Sequence, residues 1–202
     1  MSDTGLRERK KTETRRAIAA VALELALEHG PDDITVDDIA ARANVSPRTV
    51  FNYFGSKDEA ILGIDPDKRA EICAQLLARP AAEAPLEAIA AVLTALLTSG
   101  GDSGQSWRDR SRLVAQYPHL LAAQAASQAA MEAELAATVA ARTGLSDDHP
   151  YCHLVAAASL LVSRRALAQS GSLSNATTRR VLDDGFAALA RGLTPPVAGR
   201  QR

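Results

Sequence analysis

The sequence predicts an all-α protein, and three observations support this fold class. Hydrophobic residues make up 47% of the 202 positions, but aromatic residues make up only 3%. The apolar residues are mostly alanine, leucine and valine, without long β-branched runs, and this composition favours helices. Apolar residues also recur at helical spacing, and the stretch Thr35 to Lys57 has the capping residues of two short helices. We expect about nine helices, counted segment by segment.

The first helix is predicted from about Thr12 to His29. Four of its apolar residues recur at i, i+3, i+4 and i+7, which indicates a buried stripe: Ile18, Val21, Ala22 and Leu25. Gly30 and Pro31 then end the helix. Residues 1–11 lack this periodicity, so the sequence predicts that they are mobile.

The stretch Thr35 to Lys57 reads as two helices joined by a tight turn. Thr35 is suited to cap the first helix, with Asp38 three residues later as in a capping box. Asn44 tolerates the left-handed backbone conformation that ends such a helix. Ser46 is suited to cap the second helix and Pro47 to begin it.

The second helix of this pair has two different faces. At about 100° per residue, Val50 and Phe54 fall on one side and are predicted to point inward. Arg48 and Asn52 fall on the opposite side, and these residue types bind guanine and adenine edges in the major groove. The pattern therefore favours a helix-turn-helix that presents this helix to DNA, and the alternative is a helical hairpin with a solvated face.

The remaining chain reads as a connector followed by a helical bundle. The connector spans residues 57–78 and is predicted to break at Ile64–Asp65, because Pro66 follows. Five further helices form the bundle. The sequence thus predicts a DNA-binding domain at residues 1–56 and a ligand-binding and dimerisation domain at residues 57–202.

Two segments resemble known families. Thr35-Val36-x-x-Ile39-Ala40-x-x-Ala43, followed by Val45 to Phe54 and Lys57, resembles the helix-turn-helix signature of the TetR family of bacterial transcription regulators. Asn44 departs from it, since these regulators usually carry glycine there. Arg112-Leu113-Val114-x-x-Tyr117-Pro118-x-Leu120 resembles the C-terminal region of actinobacterial regulators related to the mycofactocin-system regulator.

The TetR resemblance implies a homodimeric, ligand-responsive regulator, most simply a repressor that a small effector releases from a palindromic DNA operator. The alternative is a helical small-molecule or protein-binding module without operator binding. Phe51 has two open roles, contact with a DNA sugar or methyl group and packing against the first helix. The residues expected to contact DNA are Arg15, Thr35, Pro47, Arg48, Thr49, Phe51, Asn52, Tyr53 and Lys57.

The charge distribution fits a specific duplex better than indiscriminate binding. The net charge is −1, yet residues 1–16 carry six basic residues against three acidic ones. This basic arm directly precedes the helix-turn-helix, so we expect Arg15 and Arg16 to lie near the DNA backbone. The resemblance also implies a phosphate contact for Lys57, which would offset the cost of a cation at a helix start.

The last two helices are the predicted dimer interface, because their small residues allow close approach and their large apolar residues provide anchors. The interface candidates are Ala156, Leu160, Leu167, Phe186 and Leu189. The bundle is expected to hold a hydrophobic effector. Side chains of these types are more often simply part of the core, and an arginine on a helix is usually solvated, but the candidate lining residues are Trp107, Arg112, Tyr117, Met131, His153 and Phe186.

The sequence favours no catalytic, cofactor or metal site. It has no nucleophile motif, phosphate loop or paired-carboxylate pattern above chance. His149 and His153 have a spacing that binds metal on a helix, but Pro150 places His149 at the helix edge and no third ligand accompanies them. Cys73 and Cys152 show no metal spacing, and with no signal peptide or membrane segment we expect a cytoplasmic protein.

Overall fold

A computed structural model of the chain describes residues 3–98, 104–169 and 175–193. These residues form ten α-helices and no strand, which confirms the all-α prediction. The helices are α1 (Asp3–His29), α2 (Val36–Arg42), α3 (Pro47–Tyr53), α4 (Lys57–Leu62), α5 (Pro66–Leu77), α6 (Pro85–Thr98), α7 (Gly104–Gln116), α8 (Pro118–Thr143), α9 (Pro150–Gln169) and α10 (Asn175–Ala190).

The first helix begins at Asp3, so its predicted start at about Thr12 is nine residues too late. That prediction rested on the missing apolar stripe. Residues 7–11 are arginine, glutamate and lysine, which have high intrinsic helix propensity. This helix propensity accounts for the additional residues at the start of α1.

The predicted connector consists of two helices, which accounts for ten described helices where about nine were expected. Helix α4 ends at Leu62, and Gly63 adopts a left-handed conformation with φ of 65°. Helix α5 begins at Pro66. The predicted break before Pro66 is therefore present, because proline disfavours helical backbone in the residue that precedes it.

The chain forms two compact units. The head unit contains Met1–Pro66 and Arg108–Gln128, and the body unit contains Asp67–Trp107 and Ala129–Arg202. These units do not coincide with the domains predicted from the sequence, 1–56 and 57–202, which remain a prediction about function.

Each unit has its own hydrophobic core. In the head unit, α1 packs against α2 and α4, and α2 packs against α3. Its core contains Ile18, Ile39, Phe54 and Ile61 among other buried residues. In the body unit, α6, α9 and α10 pack against one another around residues such as Leu182. In the parts of the chain described, every helix is too short or too polar to cross a bilayer.

Candidate nucleic-acid interface

Helix α2 begins with the predicted capping box. The Thr35 hydroxyl accepts a hydrogen bond from the Asp38 backbone N–H at 3.2 Å, and the Thr35 N–H donates to the Asp38 carboxylate at 2.8 Å. The hydroxyl also donates to that carboxylate at 2.6 Å. The two bonds that the Asp38 carboxylate accepts, first the one from the Thr35 hydroxyl and then the one from the Thr35 N–H, lower the pKa of Asp38 below its ordinary value. The start of α2 is thus fixed by residues within four positions of each other.

The turn between α2 and α3 also has the predicted chemistry. Asn44 has φ of 55°, in the left-handed region. The Ser46 hydroxyl accepts from the Thr49 N–H at 3.1 Å, and Pro47 is the first residue of α3. Asparagine takes the place of the usual glycine because it tolerates this conformation better than other side chains.

Helix α3 has one buried and one exposed face, as predicted. Val50 is 1% exposed and Phe54, which directly follows the helix, is 2% exposed. Arg48 and Asn52 are exposed and lie four residues apart, so both side chains occupy the outer face. This pair can present guanidinium and amide donors to a duplex without disturbing the core.

The side chains flanking that pair differ in exposure. Pro47 is exposed, and Thr49 and Tyr53 are half-buried, with the Thr49 hydroxyl 2.8 Å from that of Ser46. Phe51 is 57% exposed and is not among the partly buried residues that pack against the core of the head unit, which favours the alternative of a DNA contact. An exposed phenylalanine beside Arg48 adds an apolar group to the candidate DNA surface.

Arg15 does not face outward, contrary to its predicted place near the DNA backbone. The residue is only 8% exposed. Its Nη1 donates to the Tyr53 carbonyl at 2.6 Å, and its Nε lies 3.3 Å from an Asp65 carboxylate oxygen. A guanidinium used in this way is directed into the head unit. Its neighbour Arg16 is exposed, as are Arg9, Lys10 and Lys11.

Lys57 is half-buried, and its ammonium contacts the backbone of the loop between α1 and α2. Its Nζ donates to the Pro31 carbonyl at 2.5 Å and to the Ile34 carbonyl at 2.8 Å. These two acceptors explain a cation at the start of α4 without any phosphate. A lysine ammonium has three donors, so one remains for the predicted phosphate contact.

The predicted effector residues divide between the two units. Tyr117 packs against the core of the head unit, and Arg112 is 64% exposed in its side chain beside Asp109. Phe186 belongs to the buried core of the body unit, and Met131 is a partly buried residue that packs against this core. His153 is exposed. Trp107, also in the body unit, is half-buried. An open depression of about 470 Å³ on the head unit contains none of these six residues.

The predicted dimer residues divide between core and surface. Ala156 is fully buried and Phe186 is 6% exposed, so both belong to the core of the body unit. The prediction that these two residues form a dimer interface is therefore wrong. Leu160, Leu167 and Leu189 are half-buried. The large exposed apolar residues of α9 are instead Tyr151, Leu154 and Leu161, which recur at i, i+3 and i+10.

Two basic residues, Arg110 and His119, have long-range contacts that went unrecognised in the sequence. Arg110 of α7 donates from Nε to the Ile61 carbonyl at 3.1 Å, near the end of α4. His119 has its Nε2 3.7 Å from an Asp58 oxygen and 3.8 Å from an Asp32 oxygen. The partners lie dozens of residues apart, so no local spacing could have indicated these contacts.

No metal cluster is formed by the described histidine, cysteine, aspartate and glutamate side chains. His149 precedes α9, and its Nδ1 accepts from the Tyr151 N–H at 3.2 Å. The imidazole therefore takes part in the start of the helix and is not paired with His153 along one helical face.

Comparison with known proteins identifies similar regulators. The family described as bacterial regulatory proteins, tetR family, matches residues 18–62, and the family described as MftR C-terminal domain matches residues 83–194. The chain is 34% identical over 153 residues to the HTH-type transcriptional regulator TcmR of Streptomyces glaucescens, covering 73% of this chain and 68% of TcmR.

It is also 32% identical over 136 residues to the putative mycofactocin biosynthesis transcriptional regulator MftR of Mycobacterium tuberculosis, covering 67% of this chain and 69% of MftR. Among solved structures, GusR of Salmonella enterica matches with a TM-score of 0.57 at 16% identity, over 89% of this chain and 94% of GusR. The structural match supports the same helical fold.

Proposed function

Because the chain belongs to the TetR family of bacterial regulatory proteins, we propose that it is a homodimeric repressor that binds a palindromic operator and leaves it when a small effector binds. Both resemblances noted in the sequence are confirmed by these matches. The family and the relatives are transcriptional regulators and not enzymes, as the sequence predicted. The observation that carries the proposal is the exposed Arg48 and Asn52 pair on α3, whose opposite face is buried.

In this proposal, Arg48 and Asn52 read base edges in the major groove. Arginine donates two hydrogen bonds to guanine, and asparagine forms two with adenine. Pro47 and Phe51 are exposed apolar neighbours of the kind that contact thymine methyl groups. The side chain of Phe51 in particular has no place in the core.

Phosphate oxygens would be bound on either side of this helix. Thr35, Thr49 and Tyr53 have hydroxyls at the ends of α2 and α3, and Lys57 keeps one donor. The exposed basic residues of α1, which include Arg16, extend this cationic surface. Such contacts fix the register of the protein on the duplex but carry no sequence information.

The experiment that tests DNA reading begins with a duplex selected by the wild-type protein from a random 24-base-pair library, a length of about two helical turns. We expect Arg48→Ala to lose about 1–3 kcal/mol of binding free energy at one base pair and to relax specificity there. Arg180→Ala is the matched control, because it removes an exposed arginine from α10. Selection of no duplex, or unchanged binding by Arg48→Ala, would contradict the proposal.

The second copy is proposed to dock on α9 and α10. Tyr151, Leu154 and Leu161 form an apolar row on the outer face of α9, with Leu154 69% and Leu161 59% exposed. Exposed apolar rows of this kind mark interaction surfaces. A dimer is needed because a palindromic operator presents two half-sites about 34–36 Å apart.

Light scattering tests this surface. Leu154→Glu places a charge in the proposed interface and should convert the dimer into a monomer. Leu121→Glu is the control, because Leu121 is 54% exposed on α8, outside the α9 row. A wild-type monomer at micromolar concentration, or equal effects of the two substitutions, would contradict the proposed interface.

The effector is proposed to be a small hydrophobic molecule bound in the body unit, whose interior is mostly alanine, leucine and valine. Regulators of this family bind DNA operators and small-molecule effectors. An effector that binds better to a conformation with wrongly spaced recognition helices would draw the dimer from DNA by population shift. We place this regulation in the cytoplasm, with the chromosome. Release of the selected duplex by decanoic acid but not by glucose would support an aliphatic effector, and the reverse would exclude it.

A further inference from the structure

Arg15 is a buried cation in a part of the protein that is otherwise expected to present cations to DNA. It is 8% exposed, and its side chain lies between α1 and the end of α3. Removing a guanidinium from water is costly unless its donors are used. Its placement inside the head unit therefore calls for a role other than attraction of phosphate.

The contacts of Arg15 join the end of the recognition helix to the segment that follows α4. Nη1 donates to the carbonyl of Tyr53, the last residue of α3, at 2.6 Å and to the carbonyl of Ile64 at 3.5 Å. Nε lies 3.3 Å from an Asp65 carboxylate oxygen. The guanidinium carbon also lies 5.2 Å from the centre of the Phe54 ring. One side chain thus contacts two segments that are separated by α4.

These contacts restrain a helix that cannot fix its own orientation. Helix α3 has only seven residues, and isolated helices of that length are unstable in water. Its last carbonyls have no partner within the helix. A planar guanidinium with fixed donors restrains such a carbonyl in direction as well as in distance.

We infer that Arg15 is a positioning residue for DNA recognition, which holds α3 at the angle that lets Arg48 and Asn52 reach base edges, and that Asp65 orients Arg15 for this role. The inference rests on the proposed DNA-binding function. It replaces the sequence-based expectation that Arg15 binds phosphate. Loss of the Arg15 contacts would weaken binding to the selected duplex much more than binding to a scrambled duplex, because only base reading depends on the angle of α3.

A substitution of Asp65 distinguishes the positioning role of Arg15 from a general electrostatic effect on DNA binding. Removing a carboxylate makes the head unit more positive, so a purely electrostatic effect would strengthen binding to any duplex. The positioning role predicts the opposite sign for the selected duplex, since Asp65→Asn replaces the carboxylate at the Arg15 Nε with a neutral amide, whose oxygen is a weaker acceptor. The neighbour Arg16 is exposed and provides the matched control for a lost phosphate contact.

The test compares Arg15→Gln, Asp65→Asn and Arg16→Gln on the wild-type-selected duplex and on its scrambled form, in a salt series. Circular dichroism first confirms that each variant is folded at the binding temperature. We expect Arg15→Gln to lower affinity for the selected duplex about tenfold, the value of one charge-assisted hydrogen bond, with the salt slope unchanged. Asp65→Asn should lower the same affinity without lowering that for the scrambled duplex.

Arg16→Gln should instead weaken both duplexes alike and reduce the salt slope by about 1. The inference is overturned if Arg15→Gln behaves as Arg16→Gln does, or if Asp65→Asn binds the selected duplex as tightly as the wild type or more tightly. If Arg15→Gln does not fold, Asp65→Asn decides the question alone. A wild-type protein that selects no duplex contradicts the proposed function, whereas the two outcomes above contradict only the role of Arg15.

Discussion

The head and body units differ in how much they rely on two kinds of contact between helices. In the head unit, long cationic side chains donate to distant backbone carbonyls: Arg15 to Tyr53, Lys57 to Pro31 and Ile34, and Arg110 to Ile61. In the body unit, α9 buries a row of small residues: Cys152, Ala156, Ser159, Ser163 and Ala166. Helix α10 approaches α9 closely at Gly185, where Val162 leaves no room for a Cβ atom.

The two arrangements constrain the helices differently. A hydrogen bond from a guanidinium or ammonium has a direction, so it can fix the orientation of the short helices α2 and α3. Contacts between small residues depend on volume, and a single added methyl group disturbs them. The proposed base reading requires a fixed orientation, and in the head unit directed donors contact the segments around α3. The body unit combines close packing of α9 and α10 with one such donor side chain, Arg142.

Substitution of Arg142 should have the largest effect among the tests of this comparison, because Arg142 is a body-unit cation that donates to several backbone carbonyls distant in sequence. Its Nη1 donates to the carbonyls of Leu76 and Arg79 at 2.8 and 3.1 Å, and its Nη2 to those of Pro80 and Glu83 at 2.9 and 3.2 Å. These carbonyls end α5 and form the turn after it. Arg142→Ala should lower the free energy of unfolding by about 3 kcal/mol, because these acceptors lose charged donors.

Urea unfolding measures this loss as a shift of the midpoint at constant slope. Arg180→Ala is the control, since Arg180 is 83% exposed in its side chain and its removal should change stability by less than about 0.5 kcal/mol. If the two variants were equally stable, the body unit would depend on packing alone and the contrast with the head unit would be complete.

The features of the head unit that the sequence predicted are those with partners close in sequence. Thr35 and Asp38 are three residues apart, as are Ser46 and Thr49. Asn44 meets a backbone requirement at its own position. The burial of Arg15 could not be predicted from local spacing, because its acceptor, the Tyr53 carbonyl, is 38 residues away in the sequence.

The body unit gave fewer correct predictions for a physical reason. Helix α9 is apolar on most of its faces, so periodicity could not tell which face meets its own bundle. Ala156 was therefore assigned to an interface although it is buried, while the exposed Leu154 and Leu161 were missed. An effector pocket depends on the volume left between packed helices, and the spacing of Trp107, Met131 and the other candidates contains no such information.

Gly185→Ala tests the dependence of the body unit on volume. A Cβ atom at this position would lie 2.7 Å from a methyl carbon of Val162. We expect a loss of about 2 kcal/mol from overpacking, even though alanine is the better helix former. In a Val162→Ala background the same substitution should be neutral or stabilising, because the obstructing methyl groups are gone. A double-mutant cycle from urea unfolding measures the coupling, and stabilisation by Gly185→Ala in the wild-type background would contradict close packing here.

Thr35→Ala tests the short-range polar bonds of the head unit. Loss of an N-cap hydroxyl should lower the free energy of unfolding by about 1 kcal/mol near neutral pH. The Thr35 hydroxyl and backbone lower the pKa of Asp38 from the ordinary value of 3.8. A carboxylate with a lowered folded-state pKa stabilises the fold above the unfolded pKa, and this stabilisation is lost as pH falls through the folded pKa. The difference between wild type and Thr35→Ala should therefore shrink below pH 3.8, and a constant difference throughout the acid range would mean that Asp38 does not contribute.

Asn44→Gly should have the smallest effect, because it acts through backbone preference at a single position. At φ of 55° glycine has no steric penalty, but it adds conformational entropy to the unfolded chain. These terms nearly cancel, so we expect a change of about 0.5 kcal/mol or less in the free energy of unfolding. Asn44→Ala is the informative control, since alanine lacks the polar side chain that helps asparagine adopt this conformation and should cost about 1 kcal/mol. Equal stability of the alanine and glycine variants would mean that the turn can shift out of the left-handed region, and the orientation of α3 would then depend still more on the contacts of Arg15.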